Sequence, residues 1–194
     1  MKFAVILFLL LAIAGSRAFA AKGKILMIIA PKDFRDEELL VPKSEFEKAG
    51  YEVVVASKVR DKCVGMLGAE VVPDITIAEV NIDDYVAVVL VGGSGSTVYF
   101  EDEEVRSLVQ KAYDSGKITS AICLAPVILA NAGLLDGKEA TVWKGASQQI
   151  QEKGARYTGA PVSEDGNLIT GSGPSAARDF AMQVLSQIER KTNE

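Results

Sequence analysis

The chain contains no histidine, and that absence narrows its chemistry more than any other feature. Without imidazole there is no Ser–His–Asp or Cys–His catalytic pair, no histidine-ligated zinc and no histidine pH switch. Cysteine is scarce. Cys63 and Cys123 are the two present, enough for one disulfide but too few for a structural zinc site. No metal site and no cofactor are expected. Positive charge is also short. With 21 Lys and Arg against 26 Asp and Glu, and no basic cluster, neither nucleic acid nor an anionic membrane surface is an expected partner. There is no linker, low-complexity stretch or internal repeat.

One long apolar run does occur, Phe3 to Ala14, behind Lys2 and ahead of Gly15-Ser16-Arg17. It falls short of the roughly 20 residues that cross a bilayer. With Ala18-Phe19-Ala20 behind it, residues 1–20 read as a signal peptide cut after Ala20. The expectation is an exported protein, periplasmic or secreted, free of the membrane after cleavage. Loss of Lys2 and Arg17 moves the formal charge from −5 to −7. Residues 21–194 are read as one domain, long enough for a full core.

Strand-like and helix-like segments alternate along that domain. Lys24 to Ala30 is a continuous apolar run, suited to a strand covered on both faces, and Tyr51 to Ala56, Val86 to Val91 and Ile118 to Ile122 read as further strands. Between them, Asp36 to Ala49 and Glu101 to Ser115 read as helices stopped by Gly50 and Gly116. Pro42 is expected to bend the first. Short strands are expected at 64–66 and 70–72, and a helical turn at 75–80. Pro126 to Ala132 reads as a helix, Glu139 to Trp143 as a strand, and Ala146 to Lys153 as a helix. A hairpin pairs 162–163 with 167–170, and Ser175 to Arg190 closes the chain as a helix. This alternation predicts an α/β three-layer sandwich with a mostly parallel sheet. Ligands in such folds bind outside the carboxyl ends of the strands. That points to the loops after Ala30, Val91 and Ile122.

Each of those loops carries a candidate. Cys123 sits where a strand turns into a helix, with Pro126 just inside the helix start. A helix end favours thiolate over thiol, although a small buried core cysteine satisfies the same pattern. Glu37 and Glu38 lie in a first helical turn. They either complement the helix dipole or bring a carboxyl group to the thiol. Gly92-Gly93-Ser94-Gly95-Ser96 is a plain turn or a set of backbone donors free to approach a ligand. A phosphate cradle is a poor match, because neither GK[ST] nor GxGxxG is present. Trp143, Lys144 and Tyr157 carry no spacing argument.

Several of these segments, taken in order, resemble the ThiJ/PfpI superfamily, and within it the subgroup of the parkinsonism-associated deglycase. The resemblance rests on Lys24 to Ala30, on Glu38-Leu39-Leu40-Val41-Pro42 and on Val88-Val89-Leu90-Val91-Gly92-Gly93. It rests further on Ala121-Ile122-Cys123-Leu124-Ala125-Pro126 and on the run from Leu129 to Lys138. It implies a flavodoxin-like sandwich, usually a homodimer, and selects Glu38, four residues before Pro42, over Glu37. It implies Cys123 as nucleophile, Glu38 as its protonated neighbour, and an oxyanion or substrate pocket at Gly92, Gly93 and Leu124. The implied partner is a small carbonyl substrate, such as a 2-oxoaldehyde, or an oxidant that converts the cysteine to sulfinic acid. The sequence departs from the family in two places. Leu124 stands where protease-like members have a histidine, and Trp143 where the deglycase subgroup has one. The protease reading therefore loses its base, and Trp143 becomes a possible pocket residue.

Overall fold

In the computed structural model, which describes residues 21–193, one sheet of seven strands organises the chain. The segment read as a signal peptide, residues 1–20, lies outside the described residues. In chain order the sheet strands are Lys24–Ile28 (β1), Glu52–Ser57 (β2), Ile75–Thr76 (β3), Ala87–Leu90 (β4), Ile118–Ile122 (β5), Val162–Asp165 (β6) and Leu168–Gly171 (β7). Their spatial order is β6-β7-β5-β4-β1-β2-β3. Every neighbouring pair is parallel except the β6–β7 hairpin.

The apolar runs become central strands because both faces of the sheet are covered. Alternate residues of β1 show this. Ile25 and Met27 pack with Leu39 and Phe46 of helix α1 (Asp36–Lys48) and Phe180 and Val184 of α5 (Ala177–Thr192). Leu26 and Ile28 pack on the other side with Val105 and Val109 of α2 (Glu103–Asp114), Ile128 of α3 (Pro126–Asn131) and Ile150 of α4 (Ser147–Gln151). The result is a flavodoxin-like three-layer sandwich. Among the described residues no helix is long and apolar enough to cross a membrane.

From β1 the chain moves outward to β2 and β3, then returns to the other side of β1 as β4 and β5. The order reverses at the β1–β4 pair. Crossovers leave this point in opposite directions, so a crevice opens at the strand carboxyl ends.

Some expected elements are redrawn. The charged loop after β1 contains a short strand, Lys32–Phe34, paired with Cys63–Gly65. The turn expected at 75–80 opens as β3 before a 3-10 turn, Ile77–Glu79, closed by a Thr76/Glu79 capping box. The strand expected over 139–143 stops at Ala140. Beyond it, side chains and a loop take over the backbone's hydrogen bonds. Thr141 N–H donates to Thr170 Oγ1 (2.8 Å), and Trp143 N–H donates to the Cys123 carbonyl (2.8 Å).

Candidate functional site

Helix α1 opens with Asp36, Glu37 and Glu38, and each has its own partner. Asp36 accepts from the N–H groups of Leu67 (2.8 Å) and Ala69 (2.7 Å), pinning the tip of the neighbouring hairpin. Glu37 takes both prongs of Arg35, at 2.8 and 3.1 Å. Glu38 turns inward. It is fully buried, and its Oε2 accepts from Gly92 N–H at 3.1 Å. Its Oε1 is buried with no partner among the described residues. The helix runs on through Pro42, whose missing N–H is the one that the Glu38 carbonyl would otherwise accept.

The glycine loop after β4 is shaped by close approach. A Cβ on Gly92 would fall 2.5 Å from Glu38 Oε2 and 2.6 Å from Cys123 Cβ, so the carboxyl group and the cysteine flank one point. Gly93 has φ +96°, a left-handed conformation that favours glycine. The loop is not a plain turn, because it continues as a 3-10 helix, Ser94–Tyr99. Gly92 was expected as a donor to a ligand. Its N–H is instead given to Glu38. The amides that reach the cysteine are those of Gly93 and Leu124.

Cys123 itself has φ +63°. For a residue with a side chain this costs about 1–2 kcal/mol. Hydrogen bonds on both sides hold it there, Cys123 N–H to the Gly171 carbonyl (2.9 Å) and Trp143 N–H to the Cys123 carbonyl. The strained turn lifts the side chain off the strand, as in a nucleophile elbow.

Electrostatics corrects one expectation. Burial, and then the Glu38 charge, push the Cys123 thiol up to about 12, although the Gly93 and Leu124 amides pull it down. Helix α3 begins only at Pro126 and is six residues long, so its end does not outweigh burial. Burial likewise pushes Glu38 up to about 7, against hydrogen bonds from Cys123 and from Gly92 N–H. The two groups therefore titrate as one unit. Glu38 gives up its proton well before Cys123 does, and in between the pair holds one proton and one negative charge.

Cys123 is only 9% exposed, and the way to it is a 350 Å³ cavity. Arg35, Met66, Gly93, Ser94, Leu124, Trp143 and Pro174 line it with Cys123. Leu124, Trp143 and Gly93 were candidates from the sequence. Arg35, Met66 and Pro174 were not, since each arrives from a different loop. Cys63 is a free thiol buried in the core, its Sγ directed to the Asp61 carbonyl at 3.6 Å, and Cys123 is also free. Among the described residues no group of three or more Asp, Glu and Cys side chains is placed to hold a metal ion.

Comparison with known proteins identifies the family and the fold. Residues 23–187 match the model of the DJ-1/PfpI family. An uncharacterized protein of Methanocaldococcus jannaschii is 49% identical over 175 residues, covering 89% of this chain and 85% of that one. A deglycase of Thermococcus kodakarensis is 32% identical over 148 residues, covering 76% and 89%. A glutathione-independent glyoxalase of Caenorhabditis elegans is 26% identical over 176 residues, covering 90% and 94%. Among solved structures, a ThiJ/PfpI domain protein from Brachyspira murdochii superposes with a TM-score of 0.84 at 30% identity, covering 86% of this chain and 96% of that one.

Proposed function

Because the chain belongs to the DJ-1/PfpI family, we propose that it processes small 2-oxoaldehydes through the Cys123/Glu38 pair. One observation carries this reading: a buried, protonatable carboxyl group set against an elbow thiol at the end of a cavity. The names of the deglycase and glyoxalase relatives point the same way.

The steps need no cofactor. With the pair holding one proton, Cys123 sulfur adds to the aldehyde carbon and forms a C–S bond. The thiol proton passes by way of the Glu38 carboxylate to the aldehyde oxygen, leaving a hemithioacetal and Glu38 ionised. The Glu38 carboxylate then removes the hydrogen of that carbon as a proton and delivers it to the adjacent ketone carbon. The hydroxyl proton moves between the two oxygens. The former aldehyde carbon is thereby oxidised to a thioester and its neighbour reduced to an alcohol. Water attacks the thioester and the C–S bond breaks. The 2-hydroxy acid departs as its anion, one proton returns to the pair and one passes to solvent. In this reading the Gly93 and Leu124 amides stabilise negative charge on oxygen during addition and hydrolysis.

A second reading rests on Glu38 Oε1, buried without a partner among the described residues. Once protonated, it can donate to an oxygen placed on that sulfur by peroxide. Two peroxide molecules, each leaving as water, would convert the thiolate to sulfinate. In this reading the protein is a redox sensor or stress protectant and not an enzyme.

Methylglyoxal turnover to lactate separates the two. Wild-type protein is expected to turn over. Cys123→Ser should abolish activity, and Glu38→Gln should lower it at least 100-fold. Sulfinate formation at Cys123 without any turnover would overturn the enzyme reading. In either reading the mature chain, from Ala21, acts outside the cytoplasm as a homodimer.

A further inference from the structure

Trp143 is the only tryptophan in the chain. Its backbone N–H donates to the Cys123 carbonyl, which ties it to the elbow. Its ring lies over the bare backbone of Gly145. A Cβ there would fall 2.1 Å from Cζ3 and 2.2 Å from Cη2 of the indole. No φ between +20° and +160° calls for glycine at that position. Glycine is required for room, and the room is filled by the ring.

The ring so placed remains 50% exposed and lines the cavity that ends at Cys123. Met66, 43% exposed, lines the same cavity with Leu124 and Pro174. Large apolar side chains left half open around one concavity mark a surface built for a ligand. Its one charged wall residue, Arg35, is already held by both oxygens of Glu37. The surface offered to a substrate is thus apolar and partly aromatic, with no free charge to recruit an anion.

We infer that Trp143, seated on Gly145, is the specificity wall of this site and turns it toward aryl-substituted 2-oxoaldehydes over methylglyoxal. The inference rests on the carbonyl-processing reading given above. A phenyl substituent beside the reacting carbonyl stacks on the indole and meets the Met66 thioether at its edge. The methyl of methylglyoxal covers little of either. The expected preference for phenylglyoxal is about tenfold in kcat/KM.

Two measurements test it. The first is kcat/KM for phenylglyoxal and methylglyoxal in wild type, Trp143→Ala and Gly145→Ala. The ratio should be about ten in wild type and should fall toward one in both variants. Gly145→Ala keeps the indole and only displaces it. The second is independent of turnover. In Cys123→Ser protein, where no addition occurs, the lone indole N–H signal in a ¹H–¹⁵N spectrum is followed during titration with acetophenone and with acetone. Acetophenone should shift it at about tenfold lower concentration. Turnover with a wild-type ratio near one would overturn the wall and leave the carbonyl reading standing. No turnover of either aldehyde, with acetophenone still preferred, would overturn the carbonyl reading and support the wall. Equal shifts by the two ketones would overturn the wall.

Discussion

Glu38 has no exposed surface, and one of its oxygens has no partner. Burial raises its pKa from an ordinary 4.5 to about 7. The sign follows from proton counting. Below 4.5 the group is protonated whether the chain is folded or not, and nothing is lost. Between 4.5 and 7 the unfolded chain releases the proton and the folded chain keeps it, so stability falls as pH rises. The loss is complete above the folded value and is on the order of 3 kcal/mol. Glu38→Gln keeps the shape and removes the ionisation. Urea midpoints measured from pH 4 to pH 9 should decline for wild type across that window and stay nearly flat for the variant. A parallel decline in both would remove Glu38 as the cause. Turnover should run the opposite way in wild type, rising through about 7 as the pair loses its first proton. Glu38 was singled out from Glu37 only by the family resemblance, whereas Cys123 was legible from its place between a strand and a helix. The high thiol pKa was not, because burial of a side chain depends on what the rest of the chain packs over it.

The first turn of α1 serves three separate contacts within three residues. Dipole compensation alone would have accepted any acids there. The Asp36 contact is the mechanical one. Burial opposes its charge, but the Leu67 and Ala69 amides win and hold its carboxyl below the ordinary range. The hairpin tip that it pins carries Met66, which lines the cavity. Asp36→Ala should cost about 2 kcal/mol from lost charged hydrogen bonds. It should also speed hydrogen exchange at Leu67 and Ala69 while leaving β1 and β4 protected. Unchanged exchange at the tip would dismiss Asp36 as its anchor. Strands β1, β2, β4 and β5 were readable as mainly apolar segments between helices, with ends that match or shift by a residue or two. The strand at Lys32–Phe34 was not, since its pairing with Cys63–Gly65 is made across the fold and leaves no local pattern. The shortened strand at Glu139–Ala140 failed for a related reason. Thr141 and Trp143 read as strand-formers, but their partners are a side chain and the elbow.

At the scale of the molecule, the site belongs to the reversal of strand order at β1 and β4. Alternating elements were enough to anticipate a mostly parallel sheet and three loops at its carboxyl ends, but not the strand order that makes the reversal. The cavity's remaining walls, Arg35, Met66 and Pro174, come together only through the assembled fold. The proposed export has a direct readout. Protein recovered from outside the cytoplasm should begin at Ala21 by mass spectrometry and show twice the chain mass by light scattering. An intact Met1 would reject processing, and a single-chain mass would reject the dimer.

The elbow has a consequence in time. Cys123 is held in its left-handed turn by the carbonyl of Gly171, and β5 is zipped to β7 from Thr119↔Leu168 to Ile122↔Gly171. During synthesis the cysteine emerges long before that strand. Until β7 arrives, the thiol belongs to an unfinished edge and its backbone has no reason to adopt the strained turn. The pairing of Cys123 with Glu38 proposed above therefore lacks its elbow in the nascent chain and in any fragment ending before Leu168. The strained turn at Cys123 thus forms only when nearly the whole domain has closed around it.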